Sequence, residues 1–332
     1  MNRFLPAIVP SLLAAAIFAV CLGDPYFMEI FIHTALMGTI SVAWNLMAGF
    51  TGLISLGHSL FFGIGAYVVA YGHIGFGLPP LVTWPLAVVL AAVMALAIGL
   101  LCFRYGLRGY FFAIATLAFS EVAFLLVSAT PWLGRSDGMM MPSEDETLLY
   151  LQFLEKWPYG LMVLGFLAIT LFVGQHLVSS RTGFYWRALR DNEGAAEALG
   201  VPAMRYKLIA FVVSAVLTSV GGAFFASTFA FVDPRSTLGV DLSIQLLVFS
   251  IIGGLGLLWG PLLGAALLIP LGELLRTAMG VGFNGVNIVV YAVLLMTLAL
   301  LLPQGLGGWL KTRFPAMPRL GGKPIRQGDA VQ

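Results

Sequence analysis

The chain alternates long apolar runs with short polar or Gly/Pro-rich breaks. Ten runs approach the roughly 20 residues that a helix needs to cross a hydrocarbon core. They are Phe4–Gly23, Ile30–Gly49, Leu53–Tyr71, Leu81–Phe103, Tyr110–Ala129, Tyr159–Leu177, Leu208–Val232, Leu242–Leu258, Leu262–Met279 and Val286–Leu302. The first run follows Arg3 and is longer than the apolar part of a secretory signal. A second run follows within a few residues, so the first is read as a transmembrane helix rather than a cleaved leader. Gly253-Gly254-Leu255-Gly256 and Trp259-Gly260-Pro261 interrupt the eighth and ninth runs and predict a kinked or re-entrant pair. Such backbone survives at membrane depth only where protein or a water-filled cavity covers it. A loose Gly-rich echo links Gly49–Ala66 with Gly253–Ala266.

One long polar interval breaks the pattern, Arg181–Lys207 (RTGFYWRALRDNEGAAEALGVPAMRYK). Asn192 is placed to cap a short helix running to Leu199. Gly200 suits the left-handed residue after its end, and Pro202 stops it. So short a helix is marginal alone in water and needs docking. Ala195, Ala196, Ala198 and Leu199 give it a small apolar surface that fits a groove in another protein, flanked by Arg187, Arg190 and Arg205. The plainer alternative, a basic loop at the lipid headgroups, leaves the Ala-rich insert between a cap and a stop unexplained.

Charge orients the segments. With the N-terminus inside and ten crossings, thirteen basic residues fall in the cytoplasm: Arg3, Arg104, Arg108, the five of the polar interval, Lys311, Arg313, Arg319, Lys323 and Arg326. Four fall outside: Arg135, Lys156, Arg235 and Arg276. The positive-inside rule favours this arrangement over its inverse. Thr130–Trp157, with its acidic run Glu144-Asp145-Glu146, is then the one long external loop. Residues 1–310 are expected to form a single transmembrane domain, followed by a poorly ordered cytoplasmic tail over 311–332.

Composition agrees. The chain is 60% hydrophobic and 10% charged, against roughly 45–50% and about 25% in soluble domains. The expected fold class is all-α, a polytopic transmembrane bundle that contacts membrane lipid. A net charge of +2 without basic clusters interleaved with aromatics gives no nucleic-acid surface. Cys21 and Cys102 lie in apolar runs, and His33, His58, His73 and His176 are scattered, so no metal-ligand spacing exists.

Candidate chemistry is sparse. Trp44–Tyr67 mixes recurrent glycines with Asn45, Ser55, His58 and Ser59, a composition suited either to tight helix packing or to lining a polar path. Glu121 is the clearest intramembrane charge; an acidic residue at the centre of a span costs roughly 2.5–3.5 kcal/mol unless something offsets it. Glu273 and Arg276 can pair at i, i+3. No GxxxxGK[ST], HExxH or GxSxG motif occurs, so neither an enzyme nor a cofactor is expected.

Glu193–Gly200 followed by Arg205-Tyr206-Lys207-Leu208, Gly49–His58 with Phe61–Tyr67, Ser136-Asp137-Gly138, and Gly253-Gly254, Gly256, Gly260-Pro261 and Gly264 together resemble LivM-type permeases of the branched-chain amino-acid ABC-importer family. The likeness covers about residues 30–305. It departs at Arg135, where family members often carry Gly, and at Met139-Met140-Met141. The resemblance implies a half-permease in the bacterial inner membrane. Its partners would be a second homologous permease, two cytosolic ABC ATPases and a periplasmic solute-binding protein. Asn192, Glu193, Ala195, Ala196, Glu197, Ala198, Leu199 and Gly200 would couple to the ATPase. Asn45, Ser55, His58, Ser59 and Glu121 are the candidate pathway, and Asp137 would meet the binding protein. Branched-chain amino acids are the expected cargo, with urea, amides and other small acids as alternatives. A secondary transporter driven by an ion gradient through Glu121 is the competing mechanism. A channel would need a polar ring or filter, and none is legible.

Overall fold

A computed structural model of the chain describes residues 5–142, 149–279, 292–293, 295–297 and 305–313. The acidic run at 144–146, most of the tenth predicted segment, and the tail from 314 onward lie outside the described residues. The helices in chain order are α1 (Leu5–Cys21), α2 (Pro25–Thr51), α3 (His58–Phe76), α4 (Pro80–Arg104), α5 (Gly109–Ala129), α6 (Trp157–Ser179), α7 (Arg181–Asp191), α8 (Glu193–Ala198), α9 (Ala203–Phe229), α10 (Pro234–Leu238), α11 (Val240–Gly253), α12 (Gly260–Met279) and α13 (Gly305–Arg313). Seven of these, α2 to α6, α9 and α12, are long and apolar enough to cross a membrane by length and composition. Helices α1 and α11 are apolar but shorter. The protein is a polytopic helical bundle, as the hydrophobic pattern predicts.

Three differences from the predicted segments have local causes. The third segment begins at His58 rather than Leu53, because Gly52, at φ +75°, ends α2 with its N–H on the Ala48 carbonyl. Residues 52–57 are then non-helical. The eighth segment stops at Gly253, where Gly254 (φ +116°) and Gly256 (φ +77°) turn the chain. The polar interval holds two helices, not one, since α7 precedes α8.

The chain divides into two compact units. One comprises the described residues of Met1–Asn45, Gly160–Gln175 and Leu246–Gln332. In it α11 and α12 cross at glycines: a Cβ on Gly253 would strike the Gly260 carbonyl, and one on Gly264 the Phe249 carbonyl. Asn45, fully buried, braces the turn between them. Its Nδ2 donates to the Leu257 carbonyl at 2.7 Å, and its Oδ1 accepts from the Gly256 N–H at 3.1 Å. The predicted kinked pair is therefore present as a break, two of whose backbone groups are met by a side chain.

The other unit comprises Leu46–Tyr159 and His176–Gln245, again as far as described. Its centre is α9 packed on α3 and α4. A Cβ on Gly65 would collide with the Ser219 carbonyl, and one on Gly222 with the Phe62 carbonyl. Close backbone approach through small residues is the usual way membrane helices associate. Phe61, Phe103, Phe112 and Phe211 add a ring cluster with centroids 5.2–6.3 Å apart. A two-residue antiparallel pair, β1 (Met139–Met140) with β2 (Phe231–Val232), ties two connecting segments together. The Leu238 carbonyl, just beyond it, accepts from Ser120 at 3.4 Å. Since Ser120 lies at the middle of α5, the 231–238 segment turns back into the body of the unit.

If the α3–α9 crossing depends on the missing side chains, Gly65→Ala and Gly222→Ala will each destabilise by about 1–3 kcal/mol through overpacking. Gly165→Ala, where an added Cβ meets nothing within 4 Å, will be neutral or stabilising by up to about 1 kcal/mol. Thermal unfolding of the detergent-solubilised protein separates the two classes.

Candidate functional site

The polar interval folds onto the ends of the long helices. Helix α7 is amphipathic: Gly183, Trp186 and Leu189 are buried at a spacing of three, while Phe184 is exposed. Ser180 caps it by accepting from the Thr182 N–H. The Trp186 indole donates to the Tyr206 carbonyl at 2.8 Å, fixing α7 to the first turn of α9. Arg190 donates to the Gly49 carbonyl at 3.0 Å. A cation there also suits the negative end of the α2 dipole.

Helix α8 is built as predicted. Asn192 Oδ1 accepts from the Ala195 N–H at 3.0 Å. The far end closes with two reciprocal bonds, Gly200 N–H to the Glu197 carbonyl and Val201 N–H to the Ala196 carbonyl, with Gly200 at φ +86°. This is the Schellman arrangement, and Val201 packs with Ala196 as that motif requires.

The faces of α8 differ from expectation at Ala196 and Glu193, two of the residues expected to meet the ATPase. Ala196 does not belong to the presented surface: it is 4% exposed and packs against Leu189 and Ala203. On a 3.6-residue period Glu193, Ala196 and Glu197 share one side, and Ala195, Ala198 and Leu199 the other. The carboxylate side faces the chain itself. Lys207 Nζ lies 2.5 Å from one Glu193 oxygen, and Arg108 Nε lies 3.2 Å from the other. Arg108 Nη2 is 3.6 Å from Glu197. Lys207 is almost wholly buried and lies 5.9 Å from the Phe103 ring centroid. The opposite side is open, with Leu199 86% exposed. Sequence reasoning missed Arg108 and Lys207 as partners. The i, i+4 spacing of the two glutamates was the available signal.

The candidate pathway residues fall in two environments. Ser55, His58 and Ser59 are buried in the unit that holds α3 and α9. His58 Nδ1 lies 3.0 Å from Ser55 Oγ, and its Nε2 lies 2.7 Å from Ser214 Oγ. Ser59 Oγ is 2.6 Å from Ser120 Oγ and accepts from Ser243 at 3.2 Å, while its N–H donates to Ser243. The break at 52–57 is satisfied in the same way: the Leu56 N–H donates to Thr116 Oγ1 and the Gly57 N–H to Ser55 Oγ. Asn45 is buried at its own break, as described above. These side chains spend their polar groups inside the chain. Glu121, by contrast, is exposed near the middle of α5, beside exposed Val122 and Leu125.

Asp137 is exposed at the end of a short 3-10 turn (Arg135–Asp137) held between Gly134 and Gly138, both at positive φ. A Cβ on Gly138 would meet the Val232 carbonyl at 2.7 Å. Arg135 has φ +51°, a left-handed conformation that glycine adopts without strain. That suits the glycine noted above at this position and leaves the arginine of this chain strained.

Membrane-length helices with breaks braced by side chains and one folded polar interval mark a multi-pass membrane protein. The chain belongs to the family described as branched-chain amino acid transport system / permease component, whose model matches residues 26–302. It is 30% identical over 291 residues to the high-affinity branched-chain amino acid transport system permease protein LivM of Salmonella typhimurium and to its Escherichia coli counterpart. Those alignments cover 80% of this chain and 66% of each relative, so the chain spans slightly under two thirds of their length. The autoinducer 2 import system permease protein LsrC of Enterobacter sp. is 30% identical over 209 residues, covering 61% of this chain and 58% of that protein. No solved structure matches.

Two substitutions test the local geometry with opposite signs. Asn192→Ala removes the α8 cap and will cost about 1 kcal/mol. Arg135→Gly relieves the left-handed residue and will stabilise by about 1 kcal/mol. Chemical or thermal denaturation in detergent reads both.

Proposed function

We propose that this chain forms half of the translocation pathway of an ATP-driven importer in the bacterial inner membrane, with both termini in the cytoplasm. A second, homologous permease completes the pathway. Two cytosolic ATPases engage the polar interval, and a periplasmic binding protein delivers cargo to the side that carries Asp137. The chain itself carries out no ATP hydrolysis. The cargo is a branched-chain amino acid, a reading supported by the transport named for the LivM relatives.

The observation that carries the reading is the orientation of α8. A helix facing water turns its charges outward. This one turns Glu193 onto its own chain, keeps only a half-exposed Glu197 near Arg108, and leaves Ala195, Ala198 and Leu199 uncovered. A two-turn helix with that polarity is suited to the groove of another protein, and in an ABC importer that protein is the ATPase. Glu121 supports the two-subunit pathway. A carboxylate exposed at mid-helix calls for cover by protein or water rather than lipid tails.

Leu199→Glu and Ala195→Glu leave the buried face of α8 untouched. Each will reduce co-purification of the ATPase subunits and ATP-dependent leucine uptake by about tenfold or more, the loss of an interface anchor. Unchanged co-purification and uptake in both variants would remove the coupling role. Uptake that collapses with a protonophore while ATP is maintained would favour the ion-gradient mechanism through Glu121. Urea or an amide outcompeting leucine, valine and isoleucine would reassign the cargo.

A further inference from the structure

The salt-linked face of α8 lies opposite its uncovered side. We infer that Glu193 and Lys207 form a clamp that carries displacement of α8 into the first turn of α9, with Arg108 as an outrigger to the α4–α5 turn. The inference rests on the proposed ATPase contact and adds the route by which that contact is transmitted.

The geometry restricts how α8 can move. Its links to the body are few: chain connections through Asn192 and through Leu199–Pro202, the small apolar seat of Ala196, and the carboxylates. Glu193 commits one oxygen to Lys207 on α9 and the other to Arg108 between α4 and α5. The two cations are unequal. Lys207 is 5% exposed, so separating it from Glu193 would strand a buried charge. Arg108 is 56% exposed, so water replaces its contacts at little cost. When a partner pushes α8, the Lys207 end of α9 must follow, whereas the Arg108 link can slip. Phe103 and Phe211 extend the path inward: Lys207 lies over the Phe103 ring, and that ring packs against Phe211 of α9 at 6.3 Å.

The test uses the assembled importer in liposomes and measures leucine imported per ATP hydrolysed, with ATPase co-purification as the control. Glu193→Gln and Lys207→Met will retain bound ATPases and hydrolysis but lower leucine per ATP by about tenfold, a typical coupling factor. Arg108→Ala will lower it by less than about threefold, as for an exposed pair. The reversal Glu193→Lys with Lys207→Glu, made together with Arg108→Ala so that the new lysine faces no second cation, will recover to within about threefold of Arg108→Ala alone, which a purely packing role for either residue does not predict. If Lys207→Met fails to assemble, Glu193→Gln and the reversed pair carry the test. A wild-type ratio in Glu193→Gln, or a reversed pair no better than its single variants, overturns the clamp while leaving the ATPase contact standing. Failure of the wild-type chain to retain ATPases overturns both.

Discussion

Hydrocarbon offers no hydrogen bonds, so each backbone N–H and C=O within a span must find its partner inside the protein. That constraint organises this structure. Continuous helices meet it automatically. Two of the breaks between described helices, 52–57 and 254–259, meet part of it with side chains: Thr116 and Ser55 at the first, Asn45 at the second. The buried polar residues of the Trp44–Tyr67 stretch are therefore explained first as the cost of interrupting helices in a membrane. A break held by a few directed bonds is also a natural place for a helix to bend, because re-pairing a side chain disturbs less than re-pairing a helical turn.

Small residues serve the same end. With lipid tails as apolar as leucine, helices gain little by burying large side chains against one another and associate through close contact instead. Gly65 against Ser219 and Gly222 against Phe62 bring α3 and α9 together on both partners' backbones. The serine and histidine groups along the same faces, Ser59 with Ser120 and Ser243, and His58 with Ser214, then set the register that close packing alone leaves free.

Much of this was legible in the sequence. Ten apolar runs gave the class of fold, and cap and stop residues located α8 within a residue at either end, because helix termini are set by local chemistry. Helix α7 was missed because the charges Arg181, Arg187, Arg190 and Asp191 mask the Gly183-Trp186-Leu189 stripe in composition, though not in periodicity. The start of α3 was placed five residues early because Leu53, Ile54 and Leu56 are as apolar as the helix they precede. Hydropathy does not distinguish helix from an apolar break. For Glu193 the i, i+4 glutamates signalled a paired face, but no local rule names its partners, Arg108 far away in sequence and Lys207 at the end of the polar interval. Ala196 was assigned to the open face because all three alanines were counted as one surface. The helical period separates it from Ala195 and Ala198.

Two surfaces of the unit that holds α5 and α8 are unfinished, and in opposite senses. Helix α5 exposes a carboxylate, Glu121, among aliphatic side chains suited to lipid; helix α8 exposes aliphatic side chains where a water-facing helix would show charge. An acidic group at the centre of a span costs roughly 2.5–3.5 kcal/mol in hydrocarbon, and an exposed leucine forgoes about 2 kcal/mol of available burial. Neither is large against the stability of a membrane bundle, yet both favour assembly over isolation. Lone polarity on an apolar helix and lone apolarity on a polar one are the two surfaces that the proposed assembly would cover. In this chain they lie on different helices, so cover for the α5 face and cover for α8 are separate requirements that two different kinds of partner can meet.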